Sequence, residues 1–480
     1  MEPDDLPLQL EWPAAGSRRL LSGFHDQLRA AILDGRLRPG LRMPSTRALA
    51  AQYGISRNTA LAAYDMLLAE GYLLARPRGG TFVAATLPQP QVARARSVAP
   101  ALNAWWSRPP LPTPHGQSAA TLSCDFLLGS PATDELRWDI WQRLTTRAIR
   151  MLAKERAVYA DPHGLPRLRA AIAGHVSFAR AVGCDAEGIV VTSGTQQALD
   201  LLARILVTPG KTVVAVEDPG YVPARAAFGA AGARVVPVPV DGEGLIVERL
   251  PAHAKVVYVT PSHQFPTGVV MSMARRAALI AWAERHGAVI LEDDYDGEFR
   301  FDARPLDALQ TLDRGASVFY LGTFSKSLFP GLRLGFVAAP AWARAALVAA
   351  KQAADAHGPL IEQHALAAFI EEGHLARHVR RMRRVYGERR TALLGGLARH
   401  CGEWLDPVPN SAGLHLTAYA RRGLKLQDLM GRAAAQGVGV YALAPYYAGR
   451  VSRDGLVFGY GTTTTDAIAR GLRLLGKLPT

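Results

Sequence analysis

Three short stretches carry residue types that can do chemistry together. LGTFSKSLFPGLRLGF places Lys326 in a Ser/Gly-rich turn after an apolar run. A lysine desolvated in such a turn loses proton affinity, and its free amine can attack an aldehyde to form an imine. Thirty-three residues earlier, EDDYDGEFR sets Asp293 and Tyr295 at another strand end. There a carboxylate can pair with a pyridinium nitrogen, keeping the ring useful as an electron sink, while the tyrosine donates to the ring's phenolic oxygen. VTSGTQQALDLLARIL puts Ser193, Gly194 and Thr195 between a strand and a helix, so free N–H groups converge as a phosphate cradle. Thr323 and Arg333, flanking Lys326, can hold the same phosphate. Singly, these residues also read as a surface lysine, a strand-end cap and a geometric turn. In this order they specify a site for a phosphorylated pyridine aldehyde.

Such residues need elements that bring strand ends together. Val- and Ile-rich runs at 189–193, 212–217, 233–240, 255–261, 288–294 and 318–323 alternate with helical stretches such as 196–206 and 272–286. This alternation predicts a parallel α/β body, whose ligands bind at the carboxyl ends of the strands.

A different pattern precedes that body. Residues 19–36 have helical apolar spacing and end near Gly35; further helices begin at Ser45 and Ser56, both good N-caps, with the tight YGI turn between them. Two short helices joined in this way are the pattern of a helix-turn-helix, and Arg57, Asn58 and Thr59 fall on the first turn of the helix that would meet base edges. YLLARPRGGTFVA then reads as a hairpin with a basic tip from Arg76 through Arg78 and Gly79 to Gly80. Residues 15–82 carry ten arginines against four acidic residues, enough to neutralise backbone phosphates.

The 480 residues, 49% apolar and 20% charged, exceed the size of one core. A net charge of +14 favours a polyanionic partner or a membrane surface without choosing between them. Prolines at 88, 90, 100, 109, 110, 112 and 114 mark an extended linker, and Trp105 and Trp106 are expected to dock on a domain. The expected domains are therefore 15–83, a linker at 84–118, and 119–480. Cys124, Cys184 and Cys401 form no CxxC pair, so neither a metal site nor a disulfide framework is expected. The first residues lack a signal-peptide pattern and no uninterrupted apolar run is long enough to span a bilayer, giving the expectation of a soluble, cytoplasmic protein that does not enter membranes.

The string from Gly35 to Ala84, with PG at 39–40, PS at 44–45, SRNT at 56–59, AEGY at 69–72 and GGTFV at 79–83, resembles the winged-helix domain of GntR-family regulators. That resemblance implies contacts of Arg47, Arg57, Thr59 and the wing glycines with double-stranded operator DNA. The region from about residue 157 to 340 resembles fold-type I enzymes of the aspartate aminotransferase superfamily. It implies pyridoxal 5'-phosphate (PLP) as cofactor, an internal aldimine at Lys326, ring pairing by Asp293, an O3' bond from Tyr295, ring stacking by Tyr221, and phosphate binding by Gly194, Thr195, Thr323 and Arg333. The fusion, with PSHQFPTG at 261–268, is similar to the MocR-type subfamily of the GntR family.

Two departures from the aminotransferase pattern bear on function. Phe265 stands where many aminotransferases have an asparagine on the cofactor oxygen, and Val457 stands about where a late arginine usually grips an α-carboxylate. Arg225, Arg450 and Arg453 are candidate replacements; without one, PLP itself is a better effector than an α-amino acid. The resemblance thus implies a homodimeric regulator, with RNA polymerase as a further partner, that senses PLP, an amine or an amino acid at Lys326. Control of vitamin B6 synthesis is the favoured role, with at most weak enzymatic side activity. An active aminotransferase carrying an accessory DNA-binding domain is the alternative.

Overall fold

The computed structural model describes residues 6, 8, 20–77, 79–86, 103, 105, 106, 122–156, 158–301, 307–409, 411–421 and 423–478. Two units divide the chain, Met1–Pro100 and Ala101–Thr480. Arg78 and most of the Pro-rich linker lie outside the described residues.

In the first unit, α1 (Leu20–Leu33), α2 (Thr46–Tyr53) and α3 (Arg57–Ala69) precede a hairpin of β1 (Leu73–Arg76) and β2 (Gly80–Val83). Phe24, Leu28 and Ile32 of α1 pack with Leu49, Ala60, Ala63 and Leu67 in one core. Both expected caps are present: Ser45 accepts from the Ala48 amide and Ser56 from the Thr59 amide, while Gly54 closes α2 in the left-handed conformation. Replacing Ser56 with alanine removes one partner from a helix end and should cost about 1 kcal/mol locally. Faster hydrogen exchange at the first amides of α3 would report it. The segment before α2 adds an edge to the hairpin, with the Met43 amide donating to Thr81 O and the Val83 amide to Leu41 O.

The second unit opens with β3 (Cys124–Asp125), α4 (Trp138–Leu152) and α5 (Pro166–Arg180). Its main sheet is built from β4 (Ile189–Thr192), β5 (Val213–Asp218), β6 (Arg234–Asp241), β7 (Gly244–Leu245), β8 (Val256–Val259), β9 (Val289–Asp293), β10 (Val318–Thr323) and β11 (Gly335–Ala338). The spatial order is β4-β11-β10-β9-β8-β5-β6-β7. Strands β10, β9, β8, β5 and β6 run parallel, as the spacing predicts. The sheet is not wholly parallel, because β11 lies antiparallel between β4 and β10, and β7 turns back along β6. The short GFVA run of β11 sits close behind the lysine turn, so no periodicity separates it from a loop.

Helices cover both faces, and the central strands are accordingly buried and largely apolar. On one side Val190, Val214, Val216, Leu291 and Leu321 meet Leu199 and Leu202 of α6 (Thr195–Leu206) and Phe228 of α7 (Val222–Ala230). On the other, Ala215, Val257, Val259 and Ile290 meet Leu279, Ile280 and Ala283 of α8 (Met273–His286). A second sheet, β12 (Leu405–Pro407), β13 (His415–Ala420), β15 (Tyr441–Ala442) and β16 (Gly455–Gly459), is antiparallel in the order β12-β13-β16-β15, and β14 (Val438–Gly439) pairs with β3. Among the described residues no helix is long and apolar enough to cross a membrane.

Trp105 packs into a slot at Gly229 of α7, where even a Cβ would lie 2.1 Å from the indole. Trp106 is 71% exposed, so only one of the two tryptophans docks. The pair sits in a turn, closed by the Trp106 amide donating to Asn103 O at 2.9 Å and the Trp105 amide to Asn103 Oδ1 at 2.9 Å.

Candidate cofactor site

The parallel strands all deliver their carboxyl ends to one edge of the sheet, and a cavity of about 300 Å³ opens there, within the range of small-molecule sites. Gly194 follows β4 with φ +83, and a Cβ there would lie 3.1 Å from the Arg333 guanidinium. Glycine thus lets the backbone and the arginine share one corner. Thr195 and Gln196 begin α6 in that corner, where first-turn amides lack helical partners. Arg333 Nη2 donates to Ser193 O at 2.7 Å, and the Thr323 hydroxyl bonds Ser325 Oγ at 3.0 Å. The Thr195 hydroxyl is buried with no partner in the protein.

Asp293 ends β9 and is 2% exposed. One carboxylate oxygen accepts from Tyr258 at 2.7 Å; the other, Oδ1, is buried and has no partner. Burial pushes this carboxyl up to about 7, against the Tyr258 hydrogen bond. A partly satisfied buried carboxylate is costly, and a cationic N–H in the cavity would satisfy it. Tyr295 lines the same cavity, its hydroxyl donating to His263 O at 3.0 Å. Tyr221, immediately before α7, forms another wall and meets Phe265 edge to face at 5.7 Å.

Lys326 follows β10 and donates from Nζ to Gly129 O at 2.6 Å. Burial lowers its ammonium to about 8; Asp296 and Asp293 oppose that shift and Arg333 adds to it. The amine is therefore more readily deprotonated than a surface lysine. The cavity accordingly joins Gly129, Thr195, Tyr221, Asp293, Tyr295, Thr323, Lys326 and Arg333. The protein supplies an anion corner, a carboxylate with an open oxygen, aromatic walls and a poised amine. This set fits a phosphorylated pyridine aldehyde.

The three candidate effector arginines are not among the residues lining this cavity. Arg225 lies beside Trp105 in an outer pocket with Asp218 4.0 Å away; Arg453 stacks 3.8 Å above Tyr419; Arg450 is exposed. Val457 is buried in an apolar cluster with Leu128, Val222 and Tyr446.

Several supporting groups escape sequence reasoning. Tyr258 is hidden inside a valine run, and Gly129 comes from a distant loop. Asp294, next to Asp293, points the other way into a buried bond with Arg180 at 2.6 Å and Tyr320 at 2.6 Å. Alternation along the chain end could have separated the two aspartates. Glu217 ties down the loop after β8 through Thr260 and Gln264.

On the first unit, Arg57 and Asn58 are exposed on the opening turn of α3, and Arg47 is exposed on α2. Thr59 is half-buried with its hydroxyl 2.8 Å from Ser56 Oγ. Arg76 stacks on Phe82 at 4.8 Å, beside Gly79 and Gly80 at the hairpin tip. Arg42, unremarked in the sequence, bridges to Phe82 and brings its guanidinium to Gly80.

Comparison with known proteins agrees with this division of labour. Residues 23–83 match the bacterial regulatory proteins of the gntR family, and residues 129–448 match aminotransferase class I and II. The chain is 38% identical to the probable rhizopine catabolism regulatory protein MocR of Rhizobium meliloti, over 94% of this chain and 92% of that protein. It is 32% identical to the pyridoxine biosynthesis transcriptional regulator PdxR of Corynebacterium glutamicum, over 97% and 94%. The crystal structure of LysN, an α-aminoadipate aminotransferase of Thermus thermophilus complexed with N-(5'-phosphopyridoxyl)-L-leucine, superposes with a TM-score of 0.68 at 31% identity, covering 74% of this chain and 92% of that one. A winged helix-turn-helix followed by an α/β body with a PLP-shaped site, matched along almost its whole length by regulators of the same build, places this chain in the MocR-type subfamily of the GntR family.

Proposed function

We propose that this chain is a PLP-binding transcriptional regulator in which the Lys326 cavity senses a small molecule and the winged helix binds operator DNA. The observation that carries the reading is the convergence of Lys326 with two unsatisfied polar atoms, Asp293 Oδ1 and Thr195 Oγ1, on one cavity in a chain that also bears a DNA-reading unit. When bound, PLP supplies an aldehyde open to primary amines and a ring that draws electrons. Thr195, Thr323, Arg333 and the Gly194 turn hold the phosphate. Asp293 holds the proton of the ring nitrogen, Tyr221 packs against the ring, Tyr295 donates toward its phenolic oxygen, and the Lys326 amine is the group placed to bond the aldehyde.

Val457 leaves the substrate side of the cavity without the usual late arginine, and the three candidate replacements do not line it. This favours PLP itself, or an amine without an α-carboxylate, as the effector. Together with the likeness to a pyridoxine biosynthesis regulator it supports control of vitamin B6 synthesis. Purified protein given an amino donor and a keto acid is expected to show no sustained turnover; rapid turnover would favour the aminotransferase reading. In this reading the protein acts in the cytoplasm as a homodimer whose two winged units read a repeated site, with RNA polymerase as a further partner where it activates.

Footprinting upstream of its own and the adjacent gene tests the proposal: a protected operator whose occupancy responds to PLP is expected, and its absence overturns the regulatory role. Arg57→Ala should weaken that complex by about 1–3 kcal/mol and relax preference at one base position. Anisotropy titrations at fixed salt, on matched and altered operators, distinguish this from a uniform loss of phosphate contact.

A further inference from the structure

Asp296 lines the same cavity as Lys326 and forms with His263 a buried ionisable pair that holding a ring and a phosphate does not by itself require. His263 and Asp296 are each 1% exposed, and His263 Nδ1 is 2.9 Å from Asp296 Oδ2. The same nitrogen is 3.1 Å from the Tyr295 hydroxyl. Gly413, at φ +80, presses against the pair so closely that a Cβ would lie 2.1 Å from the His263 ring and 2.4 Å from Asp296 Oδ2. The fold thus spends a glycine on keeping the two in register.

Proton placement follows from which atoms can only accept. With Asp296 ionised, His263 Nδ1 must carry the hydrogen of their bond. The Tyr295 hydroxyl then cannot donate to that nitrogen, and its proton goes to the His263 carbonyl or to a ligand. His415, whose ring centroid is 4.5 Å from that of His263, is similarly fixed: its Nε2 faces Pro266 O at 3.0 Å and must donate to it. Phe265 lines the cavity and offers no donor of its own to a ring oxygen.

We propose that His263 and Asp296 are positioning residues of the cofactor site, Asp296 fixing the His263 proton so that Tyr295 is left free to donate to the phenolic oxygen of the ring, and its carboxylate serving as counter-charge to the Lys326 amine. The inference rests on the PLP reading above. Charged and titratable groups around the pair are Lys326, Asp293, Glu298, Tyr295 and His415; around Lys326 they are Asp296, Asp293, Arg333 and His415. Among the charges that favour the Lys326 ammonium, Asp296 acts more strongly than Asp293, and burial and Arg333 oppose both. His415 is held neutral, chiefly by burial, so it supplies no compensating charge.

Two measurements on the full-length protein separate positioning from mere packing. In ligand-free protein, the pH dependence of Lys326 acylation, read by peptide mass spectrometry, should move about one unit lower in Asp296→Asn, because losing a nearby opposite charge disfavours the ammonium. Asp296→Glu should restore part of the shift. In PLP-loaded protein, His263→Gln and Tyr295→Phe should each raise the pH midpoint of the visible absorbance, since each removes donation to an anionic oxygen. The double variant should shift no further than Tyr295→Phe alone. A Lys326 midpoint unchanged in folded Asp296→Asn, or additive shifts in the double variant, overturns the proposal. Should Asp296→Asn fail to fold, the His263/Tyr295 cycle decides alone. Should the parent take up no PLP, the cofactor reading fails, while the acylation arm still judges the counter-charge.

Discussion

Alanine at position 326 should leave PLP-treated protein with no borohydride-trapped adduct on that residue and operator binding that no longer responds to PLP or to an amine. The expected loss is complete, because Lys326 supplies the only primary amine among the described residues that line the cavity. Its Nζ donates to Gly129 O, so the chain holds it in place before any ligand arrives. Burial brings its ammonium down to about 8, which at neutral pH gives roughly two orders of magnitude more free amine than an ordinary lysine would have. Arg333, which also lines the cavity, carries a guanidinium group and no primary amine, so it cannot substitute. DNA affinity without effector should be unchanged, because Arg57, Asn58 and Arg47 lie on the first unit. Mass spectrometry of the reduced protein and anisotropy with and without PLP check the two halves separately. An adduct of equal yield on another lysine, with the effector response intact, would remove Lys326 from the sensing role.

Asp293→Asn should move stability and cofactor affinity in opposite directions. The buried carboxyl has a folded-state value near 7 against an ordinary 3.8 when unfolded, with burial the main cause. Between those values the folded protein binds more protons than the unfolded chain, so stability falls as pH rises toward 7 and stays lowered above it. Asparagine keeps an acceptor for Tyr258 and carries no charge. The ligand-free variant should therefore melt higher than the parent above pH 7, by an amount corresponding to about 2–4 kcal/mol, and equally with it below about pH 4. Cofactor binding should weaken by about 2–5 kcal/mol, because a ring N–H then meets an amide in place of a buried carboxylate. Thermal melts across pH and PLP titrations provide both readings. A variant that binds PLP as tightly as the parent would dismiss Asp293 as the ring's partner.

Both predictions concern residues legible from the chain itself. Asp293 ends a strand, Thr195 opens a helix, and Lys326 and Arg333 lie in the connection between β10 and β11; such junctions show as a change from apolar runs to polar, Gly- or Ser-rich turns. Ser45 and Ser56 were likewise legible as caps, since an N-cap is a local event satisfied within three residues. The antiparallel β11 was not legible, because strand direction depends on which neighbours flank it rather than on its own four residues. Nor was Trp105 separable from Trp106, since the choice lay with a slot made by Gly229 more than a hundred residues away.

The sequence by itself determined the order of the two units and the residues at the strand ends, which follow from local periodicity and short spacings, and its motifs carried the resemblance to the family and, through it, the cofactor. Only the tertiary structure decided the company those residues keep. It turned Asp293 toward the cavity and Asp294 away from it, set Tyr258 against the first and Arg180 against the second, and joined His263 to Asp296 under Gly413. It also left Arg225, Arg450 and Arg453 off the cavity lining. The reason is physical: hydrogen bonds and charge interactions act over a few ångströms of space, and residues that meet at that range here come from distant parts of the chain, 197 positions apart for Lys326 and Gly129 and 338 for Thr463 and Asp125.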